Sequence, residues 1–141
     1  MSVETHQFDI ASEGDSQVVD LTKPVIDALG KGRIRDGIVL VFVPGSTSCI
    51  TTTEFEPGLA NHDLRACFER LVPQFGVKYM HADTWHDDNA HAHVRASLIG
   101  QSVEVPLIKG RLPLGEYQQI VLIDFDTRPR SRRITVQVVG D

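Results

Sequence analysis

The run Ile38-Val-Leu-Val-Phe-Val-Pro44 constrains this chain more than any other segment. It is unbroken in apolarity, rich in β-branched residues and closed by proline, with no polar face at helical spacing. It therefore reads as a strand over Gly37 to Val43, buried on both faces, and it is far too short to cross a bilayer. The Pro-Gly step after it is a turn signal. Cys49 to Phe55, rich in Thr and Ile, then reads as the hairpin partner of that strand.

The rest of the chain divides around this pair. Residues 3–10 alternate loosely and read as a strand. Thr22 followed by Pro24 starts a short helix near 23–31, stopped by Gly30 and Gly32. Leu64, Cys67, Phe68, Leu71 and Val72 repeat at helical spacing, giving a helix capped by Asn61 or His62 and ending at Pro73. Asn89 can cap another helix that runs to about Leu98 before Gly100. Three closing strands are expected at Ser102–Ile108, Tyr117–Phe125 and Arg133–Val139. About six mostly antiparallel strands with two or three helices make an α+β domain, and 141 residues without repeat or linker make it a single one, 1–141.

Bulk properties narrow the function. A hydrophobic fraction of 41% with 23% charged residues is ordinary globular composition. The net charge of -5 argues against nucleic acid as a main partner, since phosphate backbones want a basic face. No apolar stretch suits a membrane span, and no basic start leads into an apolar stretch as in a signal peptide. A cytoplasmic protein fits these features. Cys49 and Cys67 lack metal or redox spacing and read as small hydrophobes.

Chemistry concentrates between positions 81 and 93. Four of the six histidines, His81, His86, His91 and His93, lie there with Asp83, Asp87, Asp88, Asn89 and Trp85. Imidazole is the commonest metal ligand and the side chain that titrates nearest neutrality. The cluster therefore suggests a divalent metal, zinc first, an acid–base site or an anion pocket. His91 and His93 are two apart, so in a helix they point about 200° apart and at most one faces a site. The Asp residues can serve as oxygen ligands or orient the imidazoles.

An anion pocket has its own candidates. Ser46, Thr47 and Ser48 offer hydroxyls and amides in a turn between strands. The helix start after Asn89 adds amides and a favourable dipole, and Arg95, Lys109 and Arg111 could converge on a phosphate. Glu54, at a strand end, could act as general base. Glu116, Asp124 and Asp126 are weaker candidates. Asp124 stands in an apolar strand and needs a partner, such as Arg111 or an arginine from 128–133.

Taken together the segments resemble the YjbQ family, whose members are also described as secondary thiamine-phosphate synthases. The likeness runs from about Val39 to Gly140. It rests on Val43-Pro-Gly-Ser-Thr with Thr51 and Glu54, and on Asn89-Ala-His-Ala-His-Val-Arg-Ala-Ser-Leu-Ile-Gly100. It rests further on Gly110-Arg-Leu-Pro-Leu-Gly-Glu-Tyr-Gln-Gln119, and on Asp124-Phe-Asp with Pro129-Arg and Arg132-Arg-Ile. The resemblance implies an α+β homotrimer with its histidine site near a subunit interface. It also implies a secondary ability to join an aminopyrimidine diphosphate to a thiazole phosphate. By family position His93 and His81 are site histidines, with Glu54 and Asn89 beside them. Many relatives carry histidine where this chain has Gly45, Asp where it has His91, and Trp where it has Tyr117. His91 or His86 is therefore expected to replace the missing imidazole.

The leading expectation is a small enzyme acting on a phosphorylated small molecule, with Glu54, His81 and His93 catalytic. Two others use the same residues: a non-catalytic trimer binding a metal or anionic metabolite, and a metal-dependent phosphate hydrolase.

Overall fold

In the computed structural model, which describes residues 1–141, the most deeply buried strand is not the one that the apolar run marks. The strands are β1 (Ser2–Ser12), β2 (Gln17–Asp20), β3 (Gly37–Phe42), β4 (Ser48–Thr53), β5 (Ser102–Leu107), β6 (Gln119–Asp124) and β7 (Arg130–Gly140). They form two antiparallel sheets, ordered β1-β7-β3-β5 and β2-β6-β4. Four α-helices accompany them: α1 (Thr22–Leu29), α2 (Leu64–Leu71), α3 (Met80–Trp85) and α4 (Ala90–Ile99). The fold is α+β, with one helix more than the sequence predicts.

The two sheets face one another. Val39, Val41, Val43, Ile134, Val136 and Val138 of the first meet Ile50, Ile120 and Leu122 of the second, with Val25 and Ala28 of α1. The second sheet turns Cys49, Val121 and Ile123 the other way, against Ala92 and Ala96 of α4 and Ala60. Alanines on that helix face let it lie close to the strands. β6, central in its sheet and covered on both sides, is thus the doubly buried strand.

That arrangement corrects the expectation for β3. Alternate residues Val39, Val41 and Val43 are buried, but Ile38 is 56% and Phe42 38% exposed. No element of the chain covers that second face. The expected β3–β4 hairpin does not form either. β3 pairs with β5 and β7, whereas β4 pairs with β6. Gly45 lies between the two strands at φ +122°, in the region open to glycine, and the segment turns the chain from one sheet into the other.

Local chemistry shifts several boundaries. Thr22 starts α1, yet its hydroxyl accepts the Ile120 N–H, and Asp20 accepts the Thr22 N–H. Neither Asn61 nor His62 caps the second helix: a π-helical turn, Leu59–Asp63, precedes α2, and Glu56 accepts the Gly58 and Leu59 N–H groups. Asn89 stands at the cap position of α4, but its side chain makes no cap hydrogen bond. β2 is too short to show a period, and α3 forms where the His-rich stretch after Pro73 reads as a loop, because six residues carry too little periodicity to mark a helix.

Candidate functional site

α3 and α4 bring two of the four clustered histidines together. The rings of His81 and His93 meet edge to face, with centroids 4.9 Å apart and planes at 74°. On α4 the residues three and four apart, Ala90, His93 and Val94, share one face. With Tyr79, Met80 and His81 they line an open cleft of about 460 Å³. The opposite face carries His91 and Arg95, both buried.

His93 is held from behind. Its Nδ1 lies 3.1 Å from the Ser46 carbonyl. A carbonyl only accepts, so Nδ1 carries the proton and a neutral ring keeps its lone pair on Nε2. The loop that supplies this carbonyl is pinned. Thr47 Oγ1 donates to Asp126 Oδ2 and accepts from Arg132 Nη2, and the Thr47 carbonyl accepts the Phe125 N–H. Arg132 also donates Nε and Nη2 to the two carboxylate oxygens of buried Asp124, at 2.7 and 2.8 Å. This supplies the partner that Asp124 requires. Burial alone would raise the Asp126 carboxyl, but hydrogen bonds from Arg130, Thr127 and Thr47 hold it below the usual carboxylate range.

Of the hydroxyls expected to cradle an anion, Thr47 is thus committed to the network, Ser48 is buried and only Ser46 is exposed. Ser48 Oγ and Asn89 Oδ1 are buried without a hydrogen-bond partner. Asn89 leaves the first amides of α4 without a side-chain cap, so the helix start keeps its capacity for an anion.

The other expected site residues lie elsewhere in the chain. Arg95, 1% exposed, donates to the Val72 carbonyl, Ser16 Oγ and Glu69 and stacks over Phe125. It ties α4 to the core. His91, 2% exposed, is pushed below its ordinary value by burial and then by the Arg95 charge. His86 ends α3 in a left-handed conformation and is exposed. Neither joins the His81–His93 pair, and within one chain no three His, Cys, Asp or Glu residues form a set able to hold a metal. The residues of this chain therefore do not by themselves fit a zinc site. Glu54 follows β4, six residues or about 20 Å of strand from Ser48. Lys109 and Arg111 lie past the end of β5 that pairs with Gly37, at the far end of β3 from the Ser46 loop. No single chain brings either group to the imidazoles.

Sequence reading missed the cleft's apolar wall, Tyr79, Met80 and Val94. The positions of Ala90, His93 and Val94 at i, i+3 and i+4 were the available signal on α4. Tyr79 and Met80 gave none, because α3 has only six residues.

Comparison with known proteins supplies the relationship. The profile of the family described as UPF0047 protein YjbQ-like matches residues 6–141. The chain belongs to this family. Among YjbQ-like relatives, the UPF0047 protein of Archaeoglobus fulgidus is 39% identical over 123 residues, 87% of this chain and 91% of that one. A crystal structure of a hypothetical protein from Aeropyrum pernix matches with TM-score 0.90 and 32% identity over 98% of this chain and 99% of that one. A YbjQ-like protein of unknown function from Sulfolobus solfataricus matches with TM-score 0.88 and 31% identity over 99% of this chain and all of that one. No helix of the chain is long and apolar enough to cross a membrane.

Proposed function

We infer that this YjbQ-like protein is a small enzyme acting on a phosphorylated small molecule in the cleft between α3 and α4. The observation that carries the reading is the His81–His93 pair at that cleft, with the Nδ1 of His93 fixed on the Ser46 carbonyl. Fixing one nitrogen gives the other a set direction and tautomer, as acid–base catalysis requires. The phosphate is met by the uncapped amides at the start of α4, beside Asn89, and by the exposed Ser46 hydroxyl. His93 moves the proton and His81 steadies the charge that this creates. The reaction that the resemblance implies is transfer of an aminopyrimidine from its diphosphate onto a thiazole phosphate, as a secondary activity: the carbon–oxygen bond to the diphosphate breaks, the diphosphate leaves, and the thiazole nitrogen takes the carbon.

The working unit is a homotrimer. The apolar face of β3 that includes Ile38 and Phe42 has no cover from its own chain, which is the pattern expected of a strand awaiting a partner. Glu54 is the carboxylate that a neighbouring subunit would bring to the imidazoles. A divalent ion, zinc first, would take His81 and His93 as two ligands and the remainder from that neighbour. When bound it would supply a Lewis acid.

Purified protein incubated with the aminopyrimidine diphosphate and thiazole phosphate is expected to form thiamine phosphate. His93→Ala is expected to lower the rate about 100-fold or more. Metal analysis after dialysis is expected to find zinc in wild type and a loss in His81→Ala. Product formed equally by His93→Ala would overturn the catalytic assignment. Saturable binding of the phosphate esters without turnover would favour a non-catalytic binding trimer. The observation on that side is that no carboxylate of the same chain reaches the histidine pair.

A further inference from the structure

The turn after β5 builds a second pocket, away from the histidine cleft. Ile108 and Arg111 bond to each other in both directions, and the two residues between them, Lys109 and Gly110, have φ values of 49° and 74°. This is the geometry of a tight two-residue hairpin turn. A lysine rarely adopts positive φ, so the conformation persists only where surroundings over-determine it. Here they do. Asp36 accepts the Lys109 N–H at 2.9 Å, Arg35 Nη2 donates to the Lys109 carbonyl at 3.3 Å, and the Gly110 N–H donates to the Arg35 carbonyl at 2.6 Å. A side chain at Gly110 would run into the Arg35 guanidinium, so the glycine makes the room in which that group lies.

The latched turn borders an apolar floor of Ile26, Leu29, Ile34, Leu107 and Leu112, and together they form a half-open pocket of about 250 Å³. Arg35 and Arg111 are the only charged residues that line it. Neither guanidinium has a carboxylate within ion-pair distance, although six other arginines of this acidic chain do. Asp36, the nearest acid in sequence, spends its carboxylate on the turn amide. Two unpaired guanidinium groups on an apolar pocket match one ligand chemistry, an anionic head on a compact apolar body. A cavity of about 150 Å³ holds benzene, so this one takes a substituted ring or a short alkyl chain.

We propose that this pocket is a binding site for a small organic anion, a carboxylate or phosphate carried on an apolar group. Arg35 and Arg111 hold the head, and the aliphatic floor receives the body. The site does not depend on the chemistry of the histidine cleft, which lies at the other end of β3.

The test is titration of the isotope-labelled full chain with phenyl phosphate and, separately, octanoate, followed by amide spectra. Inorganic phosphate and 1-octanol serve as controls carrying head or body alone. Saturable shifts are expected at Leu29, Ile34, Gly110 and Leu112 with at least one organic anion, and binding at least ten-fold weaker with either control. Which anion binds separates an aromatic phosphate from an alkyl carboxylate. Arg111→Gln, whose side chain makes no hydrogen bond in the fold, is expected to weaken binding ten-fold or more. Arg35→Gln should do the same while also loosening the turn. His93→Ala should bind as wild type does. The proposal is overturned by no saturable shift at those amides, by octanol binding equally well, by undiminished affinity in Arg111→Gln, or by loss of binding in His93→Ala.

Discussion

Arg132 links the core to the site through one guanidinium. It neutralises Asp124, contacts Asp126 at 3.6 Å and donates to Thr47, whose neighbour Ser46 anchors His93. Removing one partner of such a pair strands the other charge in the interior, at a cost of about 3–5 kcal/mol. Arg132→Met is therefore expected to lower unfolding free energy by about that amount in urea. Arg133→Met breaks only the exposed pair with Asp9 and should cost far less. His91 gives a pH signature. Burial and Arg95 hold its folded value below the ordinary 6.5, so as pH falls the unfolded chain binds that proton first. Its contribution is full above about pH 6.5 and declines as pH drops towards the folded value. Stability measured between pH 7.5 and 5.5 should fall, and His91→Gln should flatten the slope. The lowered Asp126 carboxyl acts in a separate window: its contribution is present above its usual 3.8 and is lost in stronger acid.

At the scale of elements, the stretch from β3 to β4 shows how tertiary context redirects a local signal. A Pro-Gly step between two β-rich runs reads as a hairpin, but Gly45 at φ +122° belongs to a crossing between sheets. A side chain there would also approach Arg132 Nη1 at 3.3 Å. Gly45→Ala is expected to destabilise by about 1–2 kcal/mol from the backbone alone, readable as a lower urea midpoint. A histidine at this position would meet the same constraint in this backbone. α4 was legible: its cap position, its end at Gly100 and the opposed directions of His91 and His93 follow from the 3.6-residue period. α3 was not, because six residues carry no periodicity that a sequence can display.

For the whole molecule, the proposed homotrimer would cover the exposed apolar residues of β3, Ile38 and Phe42. The mass in solution is expected to be three times 15.6 kDa by light scattering. Ile38→Asp should shift it towards the monomer while leaving far-ultraviolet circular dichroism unchanged. A monomeric wild type would remove the route by which Glu54 reaches the imidazoles.

Local pattern in the sequence determined the α+β class, most strands, the helix on which His93 rides and the motifs that mark the family. These depend on neighbours a few residues apart. Only the tertiary structure decided which strand lies between two covering layers, and that Arg95 is a core strut. It also decided that His81 and not His91 meets His93, and that Arg111 lines another pocket. Each of these depends on which surfaces meet across dozens of residues, and alternation or spacing within a segment carries no record of what will cover it.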